Sequence, residues 1–344
     1  MIGEDSRIAV VGAGAIGGIT AAVFTRAGFD VEVVCKHQDA ADRALDPGIH
    51  VSGVPGDFRV PVKAVKSISD LSGPKDVVFL AVKATDAVTA AGDLLPFLDN
   101  DSVLVSLQNG ICEDALADVA GRRRVIGCVV GWGATMHGPA ELEMTSGGEF
   151  LIGNIDHVDD VRLPAIQRML NTLVPTRISE NIMGELYAKL IINSCINSLG
   201  ALTGLHLGRM LAIRKVRDIF FAIMREALAT ADAMRVRVEA GGGGKLDYYK
   251  LLAPGGILAA FKRHLIVRII GFKYRRLKSS SLQSLERGKR TEIEYLNGYI
   301  CDRAREHGVP TPVNDALVAM IREIEAGSRT ITPDNINDPA FAAV

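Results

Sequence analysis

The stretch from Arg7 to Gly18 reads RIAVVGAGAIGG and constrains the fold more than any other part of the chain. Ile8 to Val11 is a short apolar run ended by glycine, the pattern of a buried parallel strand. Gly12, Gly14 and Gly17 then spell G-x-G-x-x-G. A helix-like stretch follows from Ile19 to Ala27 and closes near Gly28, and Asp30 to Val34 (DVEVV) reads as a second strand. Strand, glycine turn, helix and strand within about 30 residues is the context in which this motif holds a dinucleotide. Gly12 permits the tight turn, Gly14 lets backbone approach a pyrophosphate, and Gly17 lets helix and strand pack closely. The helix N-terminus then offers N–H groups to phosphate. Gly12, Ala13, Gly14, Ala15, Ile16 and Gly17 are therefore candidate cofactor-binding residues. The alternative is a glycine turn that binds nothing.

The tip of the second strand bears on which cofactor is bound. An acid there accepts from the ribose 2′-hydroxyl of NAD. Here the strand runs out as Val34-Cys35-Lys36-His37, and Glu32 lies earlier, inside it. A cation at Lys36 suits a 2′-phosphate, so NADP(H) is the expected cofactor; the plainer reading of Lys36 is a solvated loop lysine. Asp76 to Val82 (DVVFLAV) is a further buried strand, after which Thr85 or Asp86 is placed to cap a helix running to Leu98. Ser102 to Leu107 leads into Gln108-Asn109-Gly110, and 125–130 and 150–152 supply more strand candidates. Ligands of an open parallel sheet sit beyond the carboxyl ends of its strands. Lys83 and Asn109 fall at such ends and join the candidates, against readings as a surface lysine and a turn-forming Asn-Gly.

The chain has 344 residues, 48% of them apolar and 23% charged, enough for two globular domains. A net charge of −1 gives no pull towards nucleic acid. The five cysteines are scattered with no C-x-x-C pair, and the seven histidines show no ligand spacing, so no metal is expected. Acidic residues precede the first apolar run, unlike a secretory signal, and no apolar run is long enough to span a membrane. A cytoplasmic location is the expectation.

After Pro175 the pattern turns helical. Ser179 or Asn181 can cap ENIMGELYAKLIINSCINSLGAL, a helix apolar on most sides. It carries Lys189, Asn193 and Asn197 at i, i+4 and i+8, on one face. That face reads as a polar wall towards the nicotinamide, or as a stripe open to solvent. Arg217 to Ala233 is another amphipathic helix, and the four glycines at 241–244 read as a flexible loop. From Lys245 to Lys278 nine Lys or Arg accompany one acid, Asp247. This segment reads as a helical hairpin with a basic solvated face, with an interfacial amphipathic segment or an oligomer contact as alternatives. A helix starting at Ser279 to Ser281, a helical stripe from Thr291 to Glu306, and a last helix capped at Thr311 or Asn314 and ended at Gly327 complete the chain.

In order and spacing, GAGAIGG, VKATD at 82–86, LQNG at 107–110, KLIINSCIN at 189–197 and SSSLQSLERGKRTEIEYLNGY at 279–299 resemble the ketopantoate reductase (2-dehydropantoate 2-reductase) family over residues 7–327. The resemblance implies an α/β Rossmann-type N-terminal domain followed by an all-α C-terminal domain in the 6-phosphogluconate dehydrogenase-like arrangement. The expected boundaries are 1–178, 179–328 and an irregular tail at 329–344. It implies NADPH as cofactor and a 2-keto acid as substrate. Lys189 would be the catalytic lysine and Glu292 its carboxylate partner. Lys83 and Asn109 would lie near the nicotinamide and the reacting groups, and Asn193, Asn197 and Ser280 would bind substrate. Lys36 falls where the family has a base for the 2′-phosphate. Two positions depart from the family pattern. SLGALTGLHLG follows Asn197 where a further asparagine is expected, and Ser284 stands in place of an aspartate.

The chemistry these residues permit is coherent. Hydride delivery to a keto carbon builds negative charge on the carbonyl oxygen, which an ammonium can stabilise and protonate. A nearby carboxylate keeps that lysine charged. The expected activity is reduction of 2-dehydropantoate to pantoate, on the route to pantothenate and coenzyme A. The rivals are a reductase of another 2-keto acid, an opine-type dehydrogenase, and a non-catalytic nucleotide sensor, which would not need Lys189 and Glu292. The expected partners are a small-molecule substrate and, permitted by the apolar helical half, a second copy in a homodimer; nucleic acid is not expected.

Overall fold

A computed structural model describes residues 2–3 and 5–344, which form two compact units. The first comprises residues 1–108 and 112–186, and the second 109–111 and 187–344. In chain order the first holds β1 (Arg7–Val11), α1 (Ala15–Arg26), β2 (Asp30–Val34), α2 (Gln38–Arg43), β3 (Ile49–Gly53), β4 (Phe58–Val60), β5 (Lys63–Val65), β6 (Lys75–Leu80) and α3 (Ala84–Leu94). It continues with β7 (Leu98–Ser106), α4 (Glu113–Ala120), β8 (Val125–Val130), β9 (Gly133–Gly138), β10 (Glu141–Ser146), β11 (Phe150–Asn154), α5 (Leu163–Leu170) and β12 (Thr176–Ile178).

The main sheet has eight strands in the order β12-β11-β8-β7-β6-β1-β2-β5. All neighbours are parallel except β11 with β8. Ile8, Ala9, Val10 and Val11 are all buried, as a strand covered on both faces requires. The chain moves outward from β1 to β2 and β5, then returns to place β6 on the other side of β1. The switch point therefore lies between β1 and β6, where an open sheet of this kind takes its ligand. This is the Rossmann-type half of the fold.

A second sheet, β4-β3-β10-β9, goes beyond the sequence reading. Its strands are short, but β10 (ELEMTS) alternates, with Leu142 and Met144 buried. This sheet packs on α1: a Cβ on Gly18 would sit 2.4 Å from Leu142 Cδ1. Two helix ends also differ from expectation. The N-cap of α3 is Lys83, with no side-chain cap from Thr85 or Asp86, and the helix stops at Leu94.

The second unit is helical: α6 (Ile182–Thr203), which begins in the first unit, then α7 (Leu207–Ala212), α8 (Arg214–Ala233), α9 (Gly241–Gly244), α10 (Tyr248–Leu252), α11 (Ile257–Lys273), α12 (Ser280–Glu286), α13 (Asn297–Glu306) and α14 (Pro312–Glu325). Asn181 Oδ1 accepts from Gly184 N at 3.1 Å, so it caps α6 as its sequence suggests. The four glycines form a helical turn, α9, rather than a loop. Gly241 lies against Tyr248, whose hydroxyl donates to the Ala188 carbonyl at 2.5 Å. The stripe from Thr291 to Glu306 is broken into a 3₁₀ turn at Ile293–Tyr295 and α13. The cause is local. Thr291 N–H and Oγ both donate to Glu325 at 2.7 Å, and Thr291 Oγ accepts from Ile293 N at 3.2 Å, which fixes a separate turn. Residues 333–337 and 339–341 form two further 3₁₀ turns, with Phe341 buried.

Candidate active site

In the first unit the glycine turn has the three-part geometry its spacing implies. Gly12 has φ +109°, and a Cβ there would lie 2.8 Å from the Ala81 carbonyl carbon. A Cβ on Gly17 would stand 2.0 Å from the Gly12 carbonyl oxygen, so helix and turn can close only on glycine. Gly14 differs: nothing lies within 4 Å of its Cβ position. It is also the N-cap of α1, with no side-chain cap. An open glycine at an uncapped helix N-terminus is a cradle for phosphate. The turn from Gly12 to Gly17, which contains the expected cofactor residues, therefore fits the phosphates of a dinucleotide.

The tip of β2 is consistent with this. Glu32 is buried, accepts from Ser72 Oγ at 2.8 Å, and is ion-paired with buried Lys75 Nζ. Burial would raise its pKa, but Lys75 and Ser72 outweigh that and hold it below the usual carboxylate value. Its Oε2 takes these bonds, from Ser72 and Lys75. Cys35 is buried, and its thiol is pushed up to about 11 by desolvation, so it is inert. Lys36 is exposed, with Nζ 3.5 Å from Asp86 Oδ2. Lys83 is exposed at the N-cap of α3.

α6 is buried nearly all round, and its less buried residues trace one face: Glu185, Lys189, Ile192, Asn193 and Ile196. Asn197, the next polar residue on that face, is buried, and its Oδ1 accepts from Ser280 Oγ at 3.1 Å. Two residues 83 positions apart in sequence are thus brought together. Gly200 makes this contact feasible, because a Cβ there would meet Ser279 Oγ at 2.4 Å. Ser279 in turn caps α12 by accepting from Leu282 N at 3.2 Å. Glu292, half-buried, opens the 3₁₀ turn held by Thr291 and Glu325. Asn109 is half-buried, and the adjoining Gly110, at φ +86°, lies against the backbone of that same turn, with its Cβ position 2.4 Å from the Tyr295 carbonyl oxygen.

Two family models match the chain in sequence order. The ketopantoate reductase PanE/ApbA model covers residues 8–157, and the ketopantoate reductase PanE/ApbA C-terminal model covers residues 181–325. The chain belongs to the ketopantoate reductase family. A 2-dehydropantoate 2-reductase of Archaeoglobus fulgidus is 29% identical over 325 residues, 93% of this chain and 98% of that protein. One from Aquifex aeolicus is 26% identical over 326 residues, 93% of this chain and 97% of that protein. Among solved structures, a PanE/ApbA family ketopantoate reductase from Ralstonia eutropha JMP134 matches with a TM-score of 0.79 at 29% identity, covering 94% of this chain and all of that one. D-mandelate dehydrogenase shares the fold at 19% identity, with a TM-score of 0.77 over 94% of this chain and 99% of that one.

In this member of the ketopantoate reductase family two residues not among the site candidates also shape the strand ends. Gln108 is buried. Its amide donates to the Leu80 carbonyl at 2.9 Å, and its Oε1 accepts from Ser106 Oγ at 2.7 Å, tying the end of β7 to that of β6. Glu113, at the start of α4, is buried and accepts from Cys112 N at 2.9 Å. Both are polar residues close to Asn109-Gly110 in sequence, but nothing in their spacing separates a buried strut from a solvated turn.

Proposed function

We propose that the chain is an NADPH-dependent 2-dehydropantoate 2-reductase. The observation that carries the activity is the half-exposed Lys189-Asn193 face of an otherwise buried helix, extended by the Asn197–Ser280 hydrogen bond. The relatives named above carry the same activity in their names. The bound nicotinamide supplies the hydride. Lys189 stabilises charge on the carbonyl oxygen and donates the proton that completes the hydroxyl. Glu292 keeps Lys189 protonated as that charge develops. Asn193, Asn197 and Ser280 hold the carboxylate and hydroxyl of the keto acid, and buried amides of this kind discriminate against substrates that lack a partner. Asn109 and Lys83 position the reacting groups.

The preference for the 2′-phosphorylated cofactor rests on two features of β2. Glu32 is committed to Lys75 and Ser72, and the exposed cation beyond the strand is Lys36. Lys189→Ala tests the mechanism. Turnover should fall by about 10²- to 10⁴-fold, the range of a positioned general acid, while NADPH affinity measured by fluorescence stays within about twofold. Undiminished turnover would remove Lys189 from the chemistry.

A further inference from the structure

α11 is apolar on both sides, which a solvated helix is not. Its inward side carries Ala260, Arg263, His264, Ile266, Val267, Ile270 and Gly271. Gly271 packs on α7, where a Cβ would meet Leu211 Cβ at 2.8 Å, and His264 stacks edge-on to Phe221 of α8 at 5.1 Å. The outward side carries a second set of large apolar residues. Ile257 is 90% exposed, Leu258 85%, Phe261 67%, Leu265 46%, Ile269 59% and Phe272 70%. Ile257, Phe261, Leu265 and Ile269 recur at i+4 and form one continuous stripe along a helix about 26 Å long. The solvated face that the sequence reading expected to be basic is therefore apolar at its centre and basic at its edges.

The edges are Lys262, Arg268 and Lys273, followed by Arg275 and Arg276. From Ile257 to Lys278 there are seven Lys or Arg and no Asp or Glu. The positive field reaches the helix beneath. The guanidiniums of Arg217 and Arg225 on α8 are lowered from their usual pKa by burial first, and then by Arg268 and Arg263 respectively. An exposed apolar stripe of this size calls for an occupant, and the charge restricts what it can be. A second copy crossing antiparallel at Leu265 would oppose Lys262 to Arg268 and bring another seven cations against the first seven. An anionic surface matches both the stripe and its flanks. A protruding row of Ile, Leu and Phe bordered by Lys and Arg is the form of a helix lying in a lipid headgroup layer.

We propose that α11 docks the protein on the surface of an anionic lipid bilayer, with Ile257, Phe261, Leu265 and Ile269 entering the headgroup layer and Lys262, Arg268 and Lys273 facing lipid phosphates. The test is flotation of the full chain with vesicles of phosphatidylcholine containing about one-third phosphatidylglycerol, beside pure phosphatidylcholine, at low and high salt. The protein floats with the anionic vesicles, stays behind with the neutral ones, and is released by salt. A Phe261→Glu/Ile269→Glu variant, altered only at exposed positions, binds at least about tenfold less and keeps its circular dichroism and keto-acid turnover. No flotation, or equal flotation on neutral vesicles, overturns the proposal. So does light scattering that shows a dimer in the wild type and a monomer in the variant, since a second copy would then be the occupant.

Discussion

Replacing Glu113 by glutamine should change how stability depends on pH. Glu113 opens α4 with its side chain 1% exposed, and accepts a hydrogen bond from Cys112 N. Burial pushes its carboxyl up to about 7 from an ordinary 4.5; its own backbone N–H, Ser106 and the Cys112 N–H pull it part of the way back, and Asp114 adds to the rise. Because the folded-state pKa is raised, the native state holds this proton more tightly than the unfolded chain does. Below the unfolded value both states are protonated and the group exacts no penalty. As pH rises towards 7 only the unfolded state ionises, so stability is lost across that window and levels off above it. The 2.5-unit separation between 4.5 and about 7 corresponds to about 3 kcal/mol. Glu113→Gln keeps a carbonyl acceptor for the Cys112 N–H and removes the proton. Urea unfolding at pH 5 and pH 8 should show the variant gaining about 2–3 kcal/mol on the parent between the two. A difference that stays the same at both pH values would mean the carboxylate is solvated or paired in the folded state, and the reasoning would fail.

Two further substitutions probe the sites separately. Lys36→Ala should raise KM for NADPH by about tenfold, the loss of one charge-assisted hydrogen bond, and leave KM for NADH unchanged; equal effects on both cofactors in steady-state assays would remove Lys36 from the 2′-phosphate. Gly200→Ala places a methyl 2.4 Å from Ser279 Oγ, displacing the start of α12 and with it the 3.1 Å Ser280–Asn197 contact. KM for the keto acid should rise by about tenfold with KM for NADPH unchanged, and an unaltered keto-acid KM would show that this pair does not hold substrate.

The fold was legible where one signal dominated. The run Ile8–Val11 into Gly12 required a buried strand and a close turn, and Gly12 and Gly17 stand where a Cβ would clash. The i, i+4, i+8 series on α6 was equally readable as one face, which leaves Lys189 and Asn193 half-buried and Asn197 bonded to Ser280. The second sheet was not read, since strands such as Phe58–Val60 are too short for periodicity to register and owe their form to packing on α1. The break before Asn297 was hidden for a related reason. It depends on Thr291 bonding to Glu325, a pair 34 residues apart that no local pattern displays. The outward apolar stripe of α11 was masked by its cations, because composition weights charge and hydrophobicity without saying which faces solvent. Glu32 shows the converse: its place inside β2 set it back from the strand tip, and its pairing with Lys75 and Ser72 depends on a segment 40 residues later that no local pattern displays.

The central claim meets its most direct test in cofactor oxidation followed at the nicotinamide absorbance band, with 2-dehydropantoate beside pyruvate and other branched 2-keto acids, each with NADPH and with NADH. The account predicts rapid turnover of 2-dehydropantoate with NADPH, and kcat/KM lower by at least about tenfold for the other keto acids and for NADH. NADPH binding without turnover of 2-dehydropantoate, or turnover no better than that of pyruvate, would contradict it.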